Sequence, residues 1–423
     1  MTGREAEKKN VKLIGCNDLQ GRDSLQVACV DDWVYIGHHN GCEYNPLTGA
    51  SEWNGTSIID ASDPEKPELV THIPNEENTN SRAVQALHDF YDGGDYLVRN
   101  HETETEWKFE IFKITDRASP EKISEINQTP AGPLSFAHKG WWDKETGYYF
   151  AAVNEPGYRP GAHMAIWDLS NPYEPQYITS HWLMGQKEEE PDPGRRMTLH
   201  HPVIDMPNKK AYYSYMGGGN IAIVDISDIR NPETILNITI QPPFKGPHTS
   251  MPFYGVQTPD FTQSYGDVRD FIVVCNEAGD GGWKCQEIRT MLFMLDVTAW
   301  ENPIFVDTFR IPEDKGDFCT RGGRFGPHQY AETRNGQLYS LKENNYLLYV
   351  AYFNAGLRVL DLSDPYNMRE VGYYIPETTE KTKERGKVVI QTNDVDIDYR
   401  GLAYISDRAG TGLHILKYIP EST

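Results

Sequence analysis

Residues 356–376 read GLRVLDLSDPYNMREVGYYIP, and residues 220–240 read NIAIVDISDIRNPETILNITI. The same pattern recurs as GTSIIDASDPEKPELVTHIP at 55–74 and HMAIWDLSNPYEPQYITSHWL at 163–183. Weaker copies lie at 109–127 and 291–312, and a truncated one, TGLHILKYIP, at 411–420. Each full copy is an apolar run, a turn rich in Asp, Ser, Asn and Pro, and a second run. Near-continuous apolarity in the first run predicts a strand buried on both faces. The Asp that ends this run is placed to accept hydrogen bonds from turn amides.

Two further strand-like runs joined by a short turn precede each copy, as in LQVACVDDWVYIG at 25–37 and HPVIDMPNKKAYYSYM at 201–216. The unit is therefore four strands with a period of roughly 60 residues, the signature of a propeller blade. The last copy lacks its fourth strand, and VKLIGC at 11–16 matches the missing one in type. The sequence thus predicts an all-β, seven-bladed β-propeller of four-stranded blades, closed by an N-terminal strand in the last blade. Closure removes exposed sheet edges. Residues 1–10 read as a polar N-terminal tail and 11–423 as one domain. The IVDISD, VLDLSDP and IIDASDP stretches resemble the LVIVD-repeat family, and that resemblance implies a seven-bladed propeller. It implies no particular reaction, since a fold does not fix a function.

Composition narrows the partners. The 423 residues include 40 Lys and Arg against 62 Asp and Glu, a formal charge of −22. Such a chain is ill suited to nucleic acid or to an anionic membrane surface. No apolar run is long enough to span a bilayer, and the start, MTGREAEKKN, shows no apolar leader segment. The expectation is a cytoplasmic protein with reduced thiols at Cys16, Cys29, Cys42, Cys275, Cys285 and Cys319, with Cys275–Cys285 as the alternative pairing. A homo-oligomer is compatible with this sequence. Glycine-rich phosphate loops, HExxH and GxSxG are absent, which turns the reading away from nucleotide cofactors and serine hydrolysis.

Aligning the starts of the innermost strands gives Gln26, His88, His138, His201, His248, His328 and Asn393, with His200 as the alternative in the fourth unit. Propeller symmetry points such residues at one axis. Converging neutral imidazoles suit one transition-metal ion, Fe, Mn, Zn or Cu. The metal-ligand candidates are His88, His138, His201, His248 and His328; the alternative is a structural histidine ring. Loops expected on the same face carry Glu102, Glu155 and Glu277, candidates for a general base or for orienting imidazoles. Arg159 and Arg324 are the further catalytic candidates. Arg82, Arg196, Arg321 and Arg408, with His38, His39 and Tyr330, are candidates for binding substrate, because arginine forks recognise carboxylate and phosphate. Taken together the residues point to a metal-dependent enzyme acting on a small anionic organic molecule. Lyase or hydrolase chemistry and oxygenase-type redox chemistry both remain open. The alternative is a non-enzymatic scaffold for protein partners.

Overall fold

The computed structural model describes residues 3–240, 246–258, 268–279, 285, 290–382 and 388–420. Its described residues are almost entirely strands, turns and loops; the single α-helical turn is Phe318–Arg321. Five antiparallel four-stranded sheets follow one another along the chain. The first is Ser24–Val30, Trp33–His38, Thr56–Asp60 and Glu68–Ile73. The second begins at Val84–Leu87, the third at Phe136–Trp142, the fourth at Thr198–Asp205 and the fifth at Pro247–Gln257. Two more four-stranded sets, beginning at Phe325–Tyr330 and Thr392–Ile397, share one sheet because Phe353 pairs with Thr392. The fourth strand of the last set is Val11–Asn17, which pairs antiparallel with Gly412–Tyr418, Val11 opposite Tyr418.

The first strands of successive sets lie side by side, and the last, Thr392–Ile397, packs against the first, Ser24–Val30. This seam is made by carboxylates. Asp394 Oδ2 accepts from Val27 N at 3.0 Å and Asp396 Oδ2 from Cys29 N at 2.7 Å. Burial pushes the Asp394 carboxyl up to about 7 and that of Asp396 well above its ordinary range.

The repeated turn behaves as its residues dictate. Asp60, Asp168, Asp225 and Asp361 each accept from the amide two residues on, at 2.7–2.9 Å. The outer strand pairs share a register shift just before this Asp, as at Ile58/Ile59, Ile166/Trp167, Ile223/Val224 and Val359/Leu360. A bulge at this point adds twist to each sheet.

Two expectations change. Glu7–Lys9 is an edge strand on Arg369–Ile375, not a tail, and Glu7 pairs with Arg321 at 2.9 Å. Cys285 and Cys319 form a disulfide, with Cα atoms 5.4 Å apart. The pairing partner of Cys285 is thus not Cys275, which is buried inside Val268–Asn276. Sequence spacing alone holds no information on a bridge between two different sheet sets. No described helix is long and apolar enough to cross a membrane.

Candidate metal centre

Where the first strands converge, a cavity of about 510 Å³ opens, lined by His138, His200, His248 and His328 together with Gln26 and Asn393. Glu277, Arg82, Arg196, Arg324 and Arg408 stand around them. Every set contributes from the start of its first strand, because alternate residues there face the axis. The second set contributes Ala83 and Arg82, not His88. Its first strand is only Val84–Leu87, so His88 falls beyond the far end. There His88 is held by Asp31 at 2.7 Å, Tyr35 Oη at 2.7 Å and Arg117 at 3.1 Å.

The imidazoles form a chain. Glu102 Oε1 lies 3.0 Å from His138 Nδ1, and His138 Nε2 lies 2.9 Å from His200 Nε2. His200 Nδ1 lies 2.6 Å from His201 Nδ1, and His201 Nε2 lies 2.7 Å from Glu332 Oε1. Beyond them the His248 ring centroid is 3.6 Å from that of His200 and 4.4 Å from that of His328. The Nε2 of His248 is buried without a hydrogen-bond partner. His328 Nδ1 lies 2.5 Å from the Asn393 carbonyl, which only accepts. The proton therefore sits on Nδ1 and the Nε2 lone pair faces the cavity, 4.0 Å from Glu277 Oε1.

Burial pushes His200, His201, His248 and His328 toward the neutral form. His201 and His328 fall to about 4, and His200 and His248 fall well below the usual imidazole range, helped by their neighbours' charge. Burial works against ionising Glu332, yet His201 and Lys139, the latter at 2.8 Å, hold its carboxyl down at about 2. Glu102 is likewise lowered against burial by Arg82 and His138.

Proton accounting along the chain gives a deficit. If all three imidazoles were neutral they would carry three protons, and two ionised carboxylates carry none. Four close contacts run from Glu102 to Glu332 through His138, His200 and His201. The fourth contact is closed by one further positive charge, an added proton or a metal ion. Two groups bring their donor atoms within 4.8 Å of one another: His200, His201 and His248; and His248, Glu277 and His328. Nitrogen-rich sets of this kind fit borderline transition metals better than Ca or Mg.

The remaining candidates divide cleanly. Glu102 stands behind His138 and pairs with Arg82. Glu277 pairs with Arg324 at 2.9 Å, and Arg408 lies 3.3 Å from Asp23. Arg196 lines the cavity and makes no ion pair among the described residues. His39 sits 3.7 Å from Asp23, beside Arg408, outside the cavity wall. Six others lie elsewhere. Along with His88, buried His38 bonds Ser24 and Ser57 at 3.2 and 2.8 Å. Glu155 accepts from Ser180 and faces His163 in the third set. Arg159 donates to the carbonyls of Gly185, Lys187, Glu188 and Glu190. Arg321 is taken by Asp317 and Glu7, and Tyr330 is buried with its hydroxyl on the Val273 carbonyl. Polar side chains on loops satisfied local backbone or neighbours there, which a residue count cannot foresee.

Sequence reasoning missed Lys139 and Glu332. Lys139 directly follows His138, and a charged residue inside an otherwise buried strand was the available signal.

The LVIVD repeat matches residues 342–375. The chain carries an LVIVD repeat. Solved structures of similar fold are β-propellers and related proteins. One is a putative 6-phosphogluconolactonase from Bacteroides uniformis, 12% identical over 91% of this chain and 89% of that one, TM-score 0.53. Another is a hypothetical selenium-binding protein from Sulfolobus tokodaii, 13% identical over 92% of each, TM-score 0.53. The WD40 repeats of RRP9 align at 9% identity over 98% and 99%, TM-score 0.52. At such identities the likeness concerns the fold. No curated protein matches the chain. With the LVIVD repeat placed at 342–375, the turn motif of that repeat, Asp361 to Pro365, lies at the rim of the set, away from the histidine cavity.

Proposed function

We propose that this chain is a metal-dependent enzyme acting on a small anionic organic molecule. In this reading the four-stranded sets are seven blades of one propeller, closed by the pairing of Val11–Asn17 with Gly412–Tyr418. The observation that carries the proposal is the gathering of donor atoms of His200, His201, His248, His328 and Glu277 around the unpartnered Nε2 of His248. A transition-metal ion, Fe, Mn, Zn or Cu, suits such a nitrogen-rich set. His248 would serve with His200 and His201, or with His328 and Glu277. A bound ion of this kind supplies Lewis acidity or redox chemistry.

The chain's own residues do the rest. Glu102 fixes the His138 ring through Nδ1, and the Asn393 carbonyl fixes His328. Arg196 offers a guanidinium fork to a carboxylate or phosphate at the cavity wall. Arg324 holds Glu277 next to His328, where its carboxylate can take a proton from a bound molecule. Arg82, Arg324 and Arg408 are met by Glu102, Glu277 and Asp23, so Arg196 is the cation that offers the cavity a positive charge against the −22 of the whole chain.

Metal analysis of protein purified without a histidine tag tests the proposal. The expected result is close to one transition-metal ion per chain, lost in His248→Ala. Folded protein that is metal-free and takes up none of the four ions overturns it.

A further inference from the structure

A second cavity, of about 390 Å³, lies on the third set and shares no lining residue with the histidine cavity. Its walls include the rings of Tyr158, Tyr177 and Trp182, and the carboxylates of Glu155 and Glu189. Tyr158 and Trp182 meet edge to face, with centroids 5.8 Å apart and planes at 78°. Both rings are fixed. Tyr158 stacks on buried His163 at 3.7 Å, and Trp182 Nε1 donates to Glu190 at 2.9 Å.

Glu155 is a buried carboxylate whose partners are neutral donors. It accepts from the hydroxyls of Thr129 and Ser180, and from His163 Nε2 at 3.1 Å. Burial keeps His163 in the neutral form. Among the described residues no Lys or Arg pairs with Glu155. A buried charge without a counter-charge is costly, so the cavity favours a cation. A cation is already close by. Lys187 places its ammonium 3.7 Å from the Trp182 ring centroid and 5.7 Å from that of Tyr158. Arg159 pins the loop that carries it.

We propose that this cavity binds an organic ammonium ion, with quaternary and trimethylated amines preferred. The preference follows from the walls. Aromatic faces and the rings of Pro130 and Pro156 suit methyl groups, whereas a primary ammonium seeks three acceptors that Glu155 has largely committed. Lys187 is then a resident competitor for the Trp182 face.

Calorimetric titration of the full chain with tetramethylammonium chloride, against sodium chloride at equal ionic strength, tests the site. Saturable binding is expected for tetramethylammonium alone. Trp182→Ala should abolish it, and Lys187→Gln should tighten it by about tenfold. Absence of saturable binding to both wild type and Lys187→Gln overturns the proposal, as does binding that Trp182→Ala leaves unchanged. Should Trp182→Ala fail to fold, Lys187→Gln decides: an affinity no tighter than wild type overturns the proposal.

Discussion

His201 Nε2 and Lys139 Nζ each hold one oxygen of Glu332, at 2.7 and 2.8 Å, so a single buried carboxylate ties the histidine chain to a buried ammonium. Removing one partner of such a pair strands the other charge. Glu332→Ala should cost about 3–5 kcal/mol in denaturant unfolding. Lys139→Met combined with Glu332→Leu should recover most of that loss. A double variant no more stable than the single one would show that the pair is not the source.

Glu102 shapes the site through His138. Glu102→Gln keeps the volume but exchanges an acceptor pair for an acceptor and a donor. Affinity for the proposed metal is expected to fall, by less than the roughly 10–100-fold that loss of a ligand's own partner costs, because Glu102 reaches His200 only through His138. Competition with a chromophoric chelator reads this directly. Unchanged affinity in folded protein would remove Glu102 from the centre.

Three buried histidines outside the site contribute to the acid limit of stability. Burial lowers His72 to about 3, with Arg22 adding to it; burial lowers His181 and His414 to about 4. Each is neutral when folded and takes up a proton at its ordinary 6.5 when unfolded. Their contribution is complete above pH 6.5 and is lost as pH falls from there toward 4. The limiting slope is about 1.4 kcal/mol per pH unit for each histidine. Unfolding midpoints should be level from pH 8 to 7 and drop steeply by pH 5. His414→Leu should flatten that drop; a profile level down to pH 5 contradicts the account.

Gly15 has ordinary backbone angles but no room. A Cβ there would meet the Pro64 carbonyl oxygen at 2.2 Å and the Glu65 carbonyl at 2.9 Å. Gly15→Ala must push the last set away from the turn of the first, at a cost of about 3 kcal/mol. Thermal unfolding checks it, with an unchanged midpoint as the contrary result.

The repeat was readable because its turn is chemical. Asp225 binds the amide of Ser227 wherever the chain places it, so the motif marks the same corner in each set. The ring of site residues was readable where the strand start was marked by its own sequence, as around His138, His248 and His328. It failed at His88 because Val84–Leu87 is short and offers no turn residue to fix its register. Local reading also could not see what a long side chain would find. Arg159 and Arg321 turned to nearby carbonyls and carboxylates, while Lys139 found Glu332 across the channel. Contacts between residues so far apart in sequence belong to tertiary structure, and no spacing rule encodes them.

Val11–Asn17 pairs with Gly412–Tyr418. During synthesis the former leaves the ribosome long before its partner, with all the intervening sheets between them. Every intervening sheet can settle against its predecessor while Val11–Asn17 still lacks the strand it is to join. Their pairing is therefore a long-range step of folding, slowed by the length of sequence it spans. A newly made chain passes through a stage with two open strand edges, and at that stage it is most exposed to pairing with another copy of itself.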